Sequence, residues 1–235
     1  MTHSSFNTAR AAGLAYLGIA VAAIYAELFV RGTMVVSGDV AATIANITAG
    51  EFAYRAGIIA DILVLVLEVP LALWFWQLFH KVNRNWAAVA LVLNLLRIPI
   101  MAPNLMNHFA PLQALSGIAE LTPLQVETMV LLALDSHEKA YVLAHWLFGS
   151  WCFAIGVLVW KSGFLPRLLG VLMMSAVLGY VADLLVTVLA PGLRGAWVDA
   201  LLALSGIAEI SLALWLAIMG GRVWRKAHTA QGETA

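Results

Sequence analysis

The chain has 235 residues, of which 63% are hydrophobic and 11% charged, with a mean hydropathy of +0.91. A soluble domain carries about 25% charged residues, so this composition excludes a water-soluble globular fold and indicates an integral membrane protein. The formal net charge is zero, which gives no ground for a nucleic-acid partner, and the single Cys152 excludes an internal disulfide.

The start, "MTHSSFNTAR", is short and polar. The apolar run behind it (12–30) has no small-residue cleavage site, so it reads as a retained helix rather than a signal peptide. Six stretches are long enough to span a bilayer, at roughly 11–31, 53–80, 85–108, 137–160, 166–190 and 197–220. Between them lie the polar joints "HKVNRN", "KSGFLPR" and "PGLRG". The stretches 32–50 and 109–136 are mildly amphipathic and read as interfacial helices or caps. The expectation is an all-α, polytopic bundle of about six transmembrane helices. It forms one membrane-embedded domain over 1–235, with short polar tails at 1–9 and 226–235.

Orientation follows from the basic residues. With the N-terminus cytoplasmic, the inner ends hold Arg10, Lys81, Arg84, Lys161, Arg167, Arg222, Arg225 and Lys226, while the outer ends hold only Arg31 and Arg194. That asymmetry predicts both termini inside, in a multi-pass protein of the bacterial cytoplasmic membrane.

The second and fifth spans share a pattern. "GIIADILVLVLEVP" at 57–70 and "GYVADLLVTVLAP" at 179–191 both place an aspartate four residues after a glycine, at Asp61 and Asp183. The two helices run in opposite directions. At about 1.5 Å per residue both carboxylates fall about 10 Å beneath the outer surface. A charge at mid-bilayer costs about 2.5–3.5 kcal/mol or more, so such residues face partners or water and are functional candidates. Others collect at that level. Arg97, Asn104 and His108 share one face of the third span, beside the helix-breaking Pro99, Pro103 and Pro111. Glu138, Tyr141 and His145 share a face of the fourth, Tyr180 lies a turn from Asp183, and Glu209 sits near mid-depth on the sixth. Glu68 lies deeper, on the Asp61 face. The pairings expected are Arg97 with Asp61 or Glu209, and His145 with Asp183. Glu27, Arg55, Asp135, His137, Lys139 and Asp199 read as interfacial and solvated.

These residues support acid–base chemistry better than any alternative. Burial disfavours the charged form of a carboxyl group, so such a group can hold a proton at neutral pH and pass it on. His108, His137, Glu138 and His145 are of metal-ligand type but show no ligand spacing, so no metal is assigned. There is no phosphate-cradling glycine loop and no nucleophile elbow, and no cofactor is expected.

"TARAAGLAYLGIA", "GDVAATIANI", "YRAGIIADI" and above all "KSGFLPRLLGVLM", followed by Gly179-Tyr180, carry a resemblance over most of the chain. In these stretches it resembles the bacterial integral-membrane family catalogued as domain of unknown function 4386. The resemblance implies a multi-helix bundle and carries over no catalytic residue.

Two functional expectations follow. The first is an enzyme acting on a lipophilic, isoprenoid-like small molecule in an outer-leaflet cavity. Asp61, Asp183, His145 and Glu209 are its catalytic groups, and Arg97, Asn104, His108, Tyr141, Trp146, Tyr180, Glu68 and Glu138 line its pocket. The second is a proton-coupled transporter of small molecules. A structural or regulatory protein with an inert polar core is a third reading. The oligomeric state is open.

Overall fold

The computed structural model of the protein describes residues 7–117 and 120–230. Those residues form helices and connecting turns, with no strand among them. Six helices are long and apolar enough to cross a membrane: α1 (Thr8–Met34), α3 (Glu51–Phe79), α4 (Arg84–Leu115), α5 (Pro123–Ser162), α6 (Arg167–Leu189) and α7 (Ala196–Ala230). A short helix, α2 (Val40–Ala49), precedes α3. The six spans expected from hydropathy are therefore present.

Two boundaries differ from expectation. The stretch 109–136 is not a separate interfacial piece. Its first part, Met106–Leu115, continues α4 after a break at Leu105, and its last part belongs to α5, which begins at Pro123. A proline at the start of a helix loses no hydrogen bond. The 40 residues of α5 span about 60 Å, twice the roughly 30 Å hydrocarbon core. α1 is also irregular, since Tyr25–Arg31 is wound as a π-helix.

The described chain falls into two compact units, each built from several spans. The first comprises residues up to Gly18, Leu67–Arg97 and everything from Val142 onward; the second comprises Ile19–Val66 and Ile98–Tyr141. The first unit packs through small residues. A Cβ added to Gly220 would lie 2.5 Å from the backbone nitrogen of Arg10, and Gly13 meets the backbone of Ala217 as closely, so α1 and α7 touch backbone to backbone. Gly156 and Gly170 do the same between α5 and α6. In lipid, where apolar surfaces gain nothing by avoiding water, such close approach supplies the association energy. Around these contacts, Phe75 stacks on Phe79 at 5.9 Å, and Tyr16 meets Trp151 edge-on at 5.6 Å.

The second unit has its own core of Val30, Met34, Ile47, Tyr54, Ile58, Leu112 and Val130. α2 enters it through Ile47 and begins at an N-cap. Asp39 Oδ1 accepts from the amide of Ala42 at 2.8 Å, and Gly38 (φ +78°) makes the turn that precedes it. Leu14, Phe29, Leu63, Leu178 and Ile218 are exposed, as side chains that face lipid must be.

Candidate functional site

Polar residues buried among apolar helices concentrate in two clusters, one within each unit.

In the second unit the centre is Arg31, only 7% exposed. Its guanidinium holds two carboxylates at once. NH1 and NH2 donate to Asp61 at 2.7 and 3.1 Å, while NH2 and Nε donate to Glu27 at 2.7 and 3.1 Å. Glu27 and Arg31 lie in the π-helical stretch of α1, a rare winding that is frequent at functional sites. Beside the carboxylates lie two imidazoles. His108 Nε2 and His137 Nε2 are 3.1 Å apart, with ring centroids at 3.8 Å. His108 Nε2 lies 3.9 Å from Asp61, and His137 Nε2 lies 3.7 Å from Glu27. The Tyr54 hydroxyl approaches His108 Nδ1 at 3.4 Å, and Asn104 donates to the carbonyl of His137 at 3.2 Å. The Tyr141 ring packs on His137 with centroids 5.2 Å apart. Four spans thus contribute to this cluster: α1, α3, α4 and α5.

The first unit holds three linked groups. Arg97 NH2 pairs with Glu68 Oε1 at 2.7 Å and donates to Asn94 Oδ1 at 2.5 Å, and Asn94 in turn donates to the Glu68 carbonyl at 3.0 Å. The face of the Arg97 guanidinium covers Phe148 at 4.3 Å and Trp151 at 5.1 Å, a cation–π arrangement that gains strength when desolvated. Glu209 is clasped by two phenols. Tyr16 donates to its Oε2 at 2.6 Å and Tyr180 to its Oε1. Asp183, 1% exposed, takes His145 Nδ1 at 2.7 Å and is also paired with Arg194.

Three buried side-chain atoms among the described residues have no hydrogen-bond partner: Glu68 Oε2, Arg97 Nε and His137 Nδ1. Such atoms are few in native proteins and call for an explanation.

Charge counting separates the clusters from ordinary packing pairs. The second unit sets the buried Asp61 and the half-buried Glu27 against one Arg31. The first sets Glu68, Glu209 and Asp183 against Arg97 and the half-exposed Arg194, which also reaches the exposed Asp199 at 3.5 Å. With neutral histidines, and with the solvated Asp199 left aside, each cluster is one positive charge short of neutrality.

The sequence reading is partly redrawn by this geometry. His145 does meet Asp183. Arg97 meets Glu68 instead of Asp61 or Glu209, because Asp61 is already held by Arg31. Asp61 and Asp183 belong to different units and are held by different partners, Arg31 for one and His145 with Arg194 for the other. Asp61, Asn104, His108 and Tyr141 fall in the second unit's cluster; Asp183, His145, Glu209, Arg97, Tyr180 and Glu68 fall in the first's. Glu138 is exposed and Trp146 is 45% exposed, both outside the clusters. Among the described residues, no group of three His, Cys, Asp or Glu side chains is placed to hold a metal ion.

Three members of the second cluster differ from the sequence reading, which places Glu27 and His137 at a solvated interface and Arg31 at the outer end of its span. The available signal was the four-residue spacing of Glu27 and Arg31 inside an apolar run, which puts acid and base side by side on a helix.

Comparison with known proteins places the chain in a family. The family model described as Domain of unknown function (DUF4386) matches residues 11–220, and the chain belongs to that family. It is similar to an uncharacterized protein of the archaeon Archaeoglobus fulgidus, with 27% identity over 176 residues, covering 71% of this chain and 85% of the relative. The similarity therefore extends to an archaeal protein. No solved structure matches.

Proposed function

We propose that this multi-pass membrane protein is a proton-coupled carrier of small amphiphilic molecules in a prokaryotic cytoplasmic membrane. The observation that carries the reading is the charge count. Each cluster, with the exposed Asp199 left aside, has one more carboxylate than cation, and each contains histidine. A proton is the smallest species that makes up the difference. In low dielectric an uncompensated charge is costly, so binding and release of that proton bias the surrounding helices between arrangements. Chains of Asp, Glu and His within spans are the usual means by which carriers handle protons.

An acid–base enzyme acting on a lipophilic substrate is a second reading. It draws support from Glu209, whose two phenolic partners and nearby Phe148 and Trp151 suit a carboxylate base beside an apolar molecule. It draws less from Asp61 and Asp183, each of which is already engaged by a cation.

The test uses the full chain in phosphatidylethanolamine–phosphatidylglycerol liposomes loaded with a pH-sensitive dye, with the potential clamped by potassium and valinomycin. A panel of amphiphilic organic cations and weak acids is added in turn. Solute-dependent proton movement is expected, abolished by Asp61→Asn or Asp183→Asn in protein that still folds. Proton movement with no member of the panel, or unchanged movement in both variants, overturns the reading.

A further inference from the structure

We propose that the α3–α4 and α5–α6 joints of the first unit form a binding site for the headgroups of anionic phospholipids, with Lys81, Arg84, Lys161 and Arg167 as the cations that meet the phosphates. The site uses residues outside both buried clusters, so it stands whichever functional reading holds.

The formal charge of the chain is zero, yet its charges are sorted by position. The joints read "HKVNRN" (80–85) and "KSGFLPR" (161–167), and neither contains Asp or Glu. The start of α1, with Arg10, and the last turns of α7, with three more basic residues after Gly221, contain none either. All eight of these Lys and Arg side chains are exposed. Among the described residues of the first unit the carboxylates lie elsewhere: Glu68, Asp183 and Glu209 are in the buried cluster, and Asp199 is beside Arg194. Orientation in a membrane needs only the surplus of Lys and Arg, because Asp and Glu weigh little in it. The exclusion of acids from four separate segments therefore goes beyond what orientation requires. An anionic partner accounts for it, since a carboxylate among the cations would repel a phosphate.

Packing brings the two joints together. Phe79, at the end of α3, stacks on Phe164 of the second joint, with centroids 6.0 Å apart and ring planes 17° apart. Trp86, in the first turn of α4, meets Phe153 of α5 at 6.0 Å. Phe79 and Phe164 are buried, while the cations next to them in sequence are exposed, so the joints turn charge outward from an apolar floor. The other basic helix ends adjoin them. Thr8 of α1 donates to Gln77 Oε1 of α3 at 3.5 Å, and Gly220 of α7 lies against the backbone of Arg10.

Depth and geometry both suit a phosphate. Trp160, 44% exposed, precedes Lys161, and indoles gather at the level of the headgroups. The Arg167 guanidinium lies 5.5 Å from the centroid of the Trp160 ring. Stacking of this kind covers the face of a guanidinium and leaves its N–H donors, which lie in the plane, for two phosphate oxygens. Clusters of four or more Lys and Arg beside spanning helices are the usual means of holding anionic lipid.

Electron spin resonance of the full chain in phosphatidylcholine bilayers tests the site, with chain-labelled phosphatidylglycerol and chain-labelled phosphatidylcholine as separate probes. The fraction of each label immobilised at the protein surface gives their relative affinity. A preference for phosphatidylglycerol of about fivefold is expected, the factor that one basic residue near an anionic headgroup supplies. It is expected to vanish in about 1 M salt, where screening acts within about 3 Å. Lys81→Gln with Arg84→Gln, and Lys161→Gln with Arg167→Gln, are each expected to at least halve the preference, while the basic residues left on that end keep the orientation. Arg55→Gln with Lys139→Gln, in the second unit, is expected to leave it unchanged. Equal affinity for the two lipids, a preference that survives high salt in the unaltered protein, one that neither joint variant lowers, or one that the second-unit variant lowers equally overturns the site.

Discussion

Arg31 decides the second cluster residue by residue. Removing one partner of a buried ion pair strands the other, at a cost of about 3–5 kcal/mol, whereas removing both is close to neutral. Arg31→Gln is therefore expected to lower unfolding stability by about that range, and Arg31→Gln with Asp61→Asn to recover much of the loss. Denaturant titration in detergent micelles, arranged as a double-mutant cycle, measures both. Near-equal stability of single and double variants would show that the pair is solvated. In the first unit, Tyr180→Phe removes one of two phenols on Glu209. A hydrogen bond to a charged group contributes about 1.5–3 kcal/mol, and the same titration reads that loss. At this scale the sequence was half legible. Asp61, Asp183, His108 and Asn104 stood out because apolar neighbours surround them. Glu27, Arg31 and His137 did not, because residues near span ends are usually wet, and nothing local shows that Tyr54 and Asp61 enclose them.

Helices were the most legible elements, since about 20 apolar residues in a row have few other uses. The segment 109–136 was the exception. Pro103 and Pro111 suggested an end to the third span, yet Met106–Leu115 resumes the helix, and Leu112 and Ala114 pack into the second unit's core. Tertiary burial overrode the local breaker. The π-helical stretch was equally hidden, because its composition is that of any apolar helix. Close packing at glycine makes a sharper prediction. A Cβ at Gly170 would come within 2.9 Å of the Gly156 carbonyl and the Trp160 amide. Overpacking of this kind costs about 1–3 kcal/mol, so Gly170→Ala is expected to lower the thermal unfolding midpoint, while Gly206→Ala, with nothing within 4 Å of its added Cβ, does not lower it and gains from the better helix former.

For the whole molecule, six helices able to cross a membrane predict that the start of the first and the end of the last share one face, and the distribution of Lys and Arg predicts that this face is the cytoplasmic one. The buried Cys152 gives a quiet background for mapping this. Ser37→Cys is expected to react with a membrane-impermeant maleimide from outside intact cells, and Lys161→Cys only after permeabilisation; the reverse pattern would invert the topology. The backbone contact between α1 and α7 also orders events during synthesis. Gly13 emerges first, and Ala217 follows 204 residues later. At roughly 5–20 residues per second the opening helix spends on the order of 10–40 s in the bilayer without its neighbour. Glu27 and Arg31 travel on that same helix, so their attachment to each other keeps the unaccompanied segment close to neutral until the last one arrives.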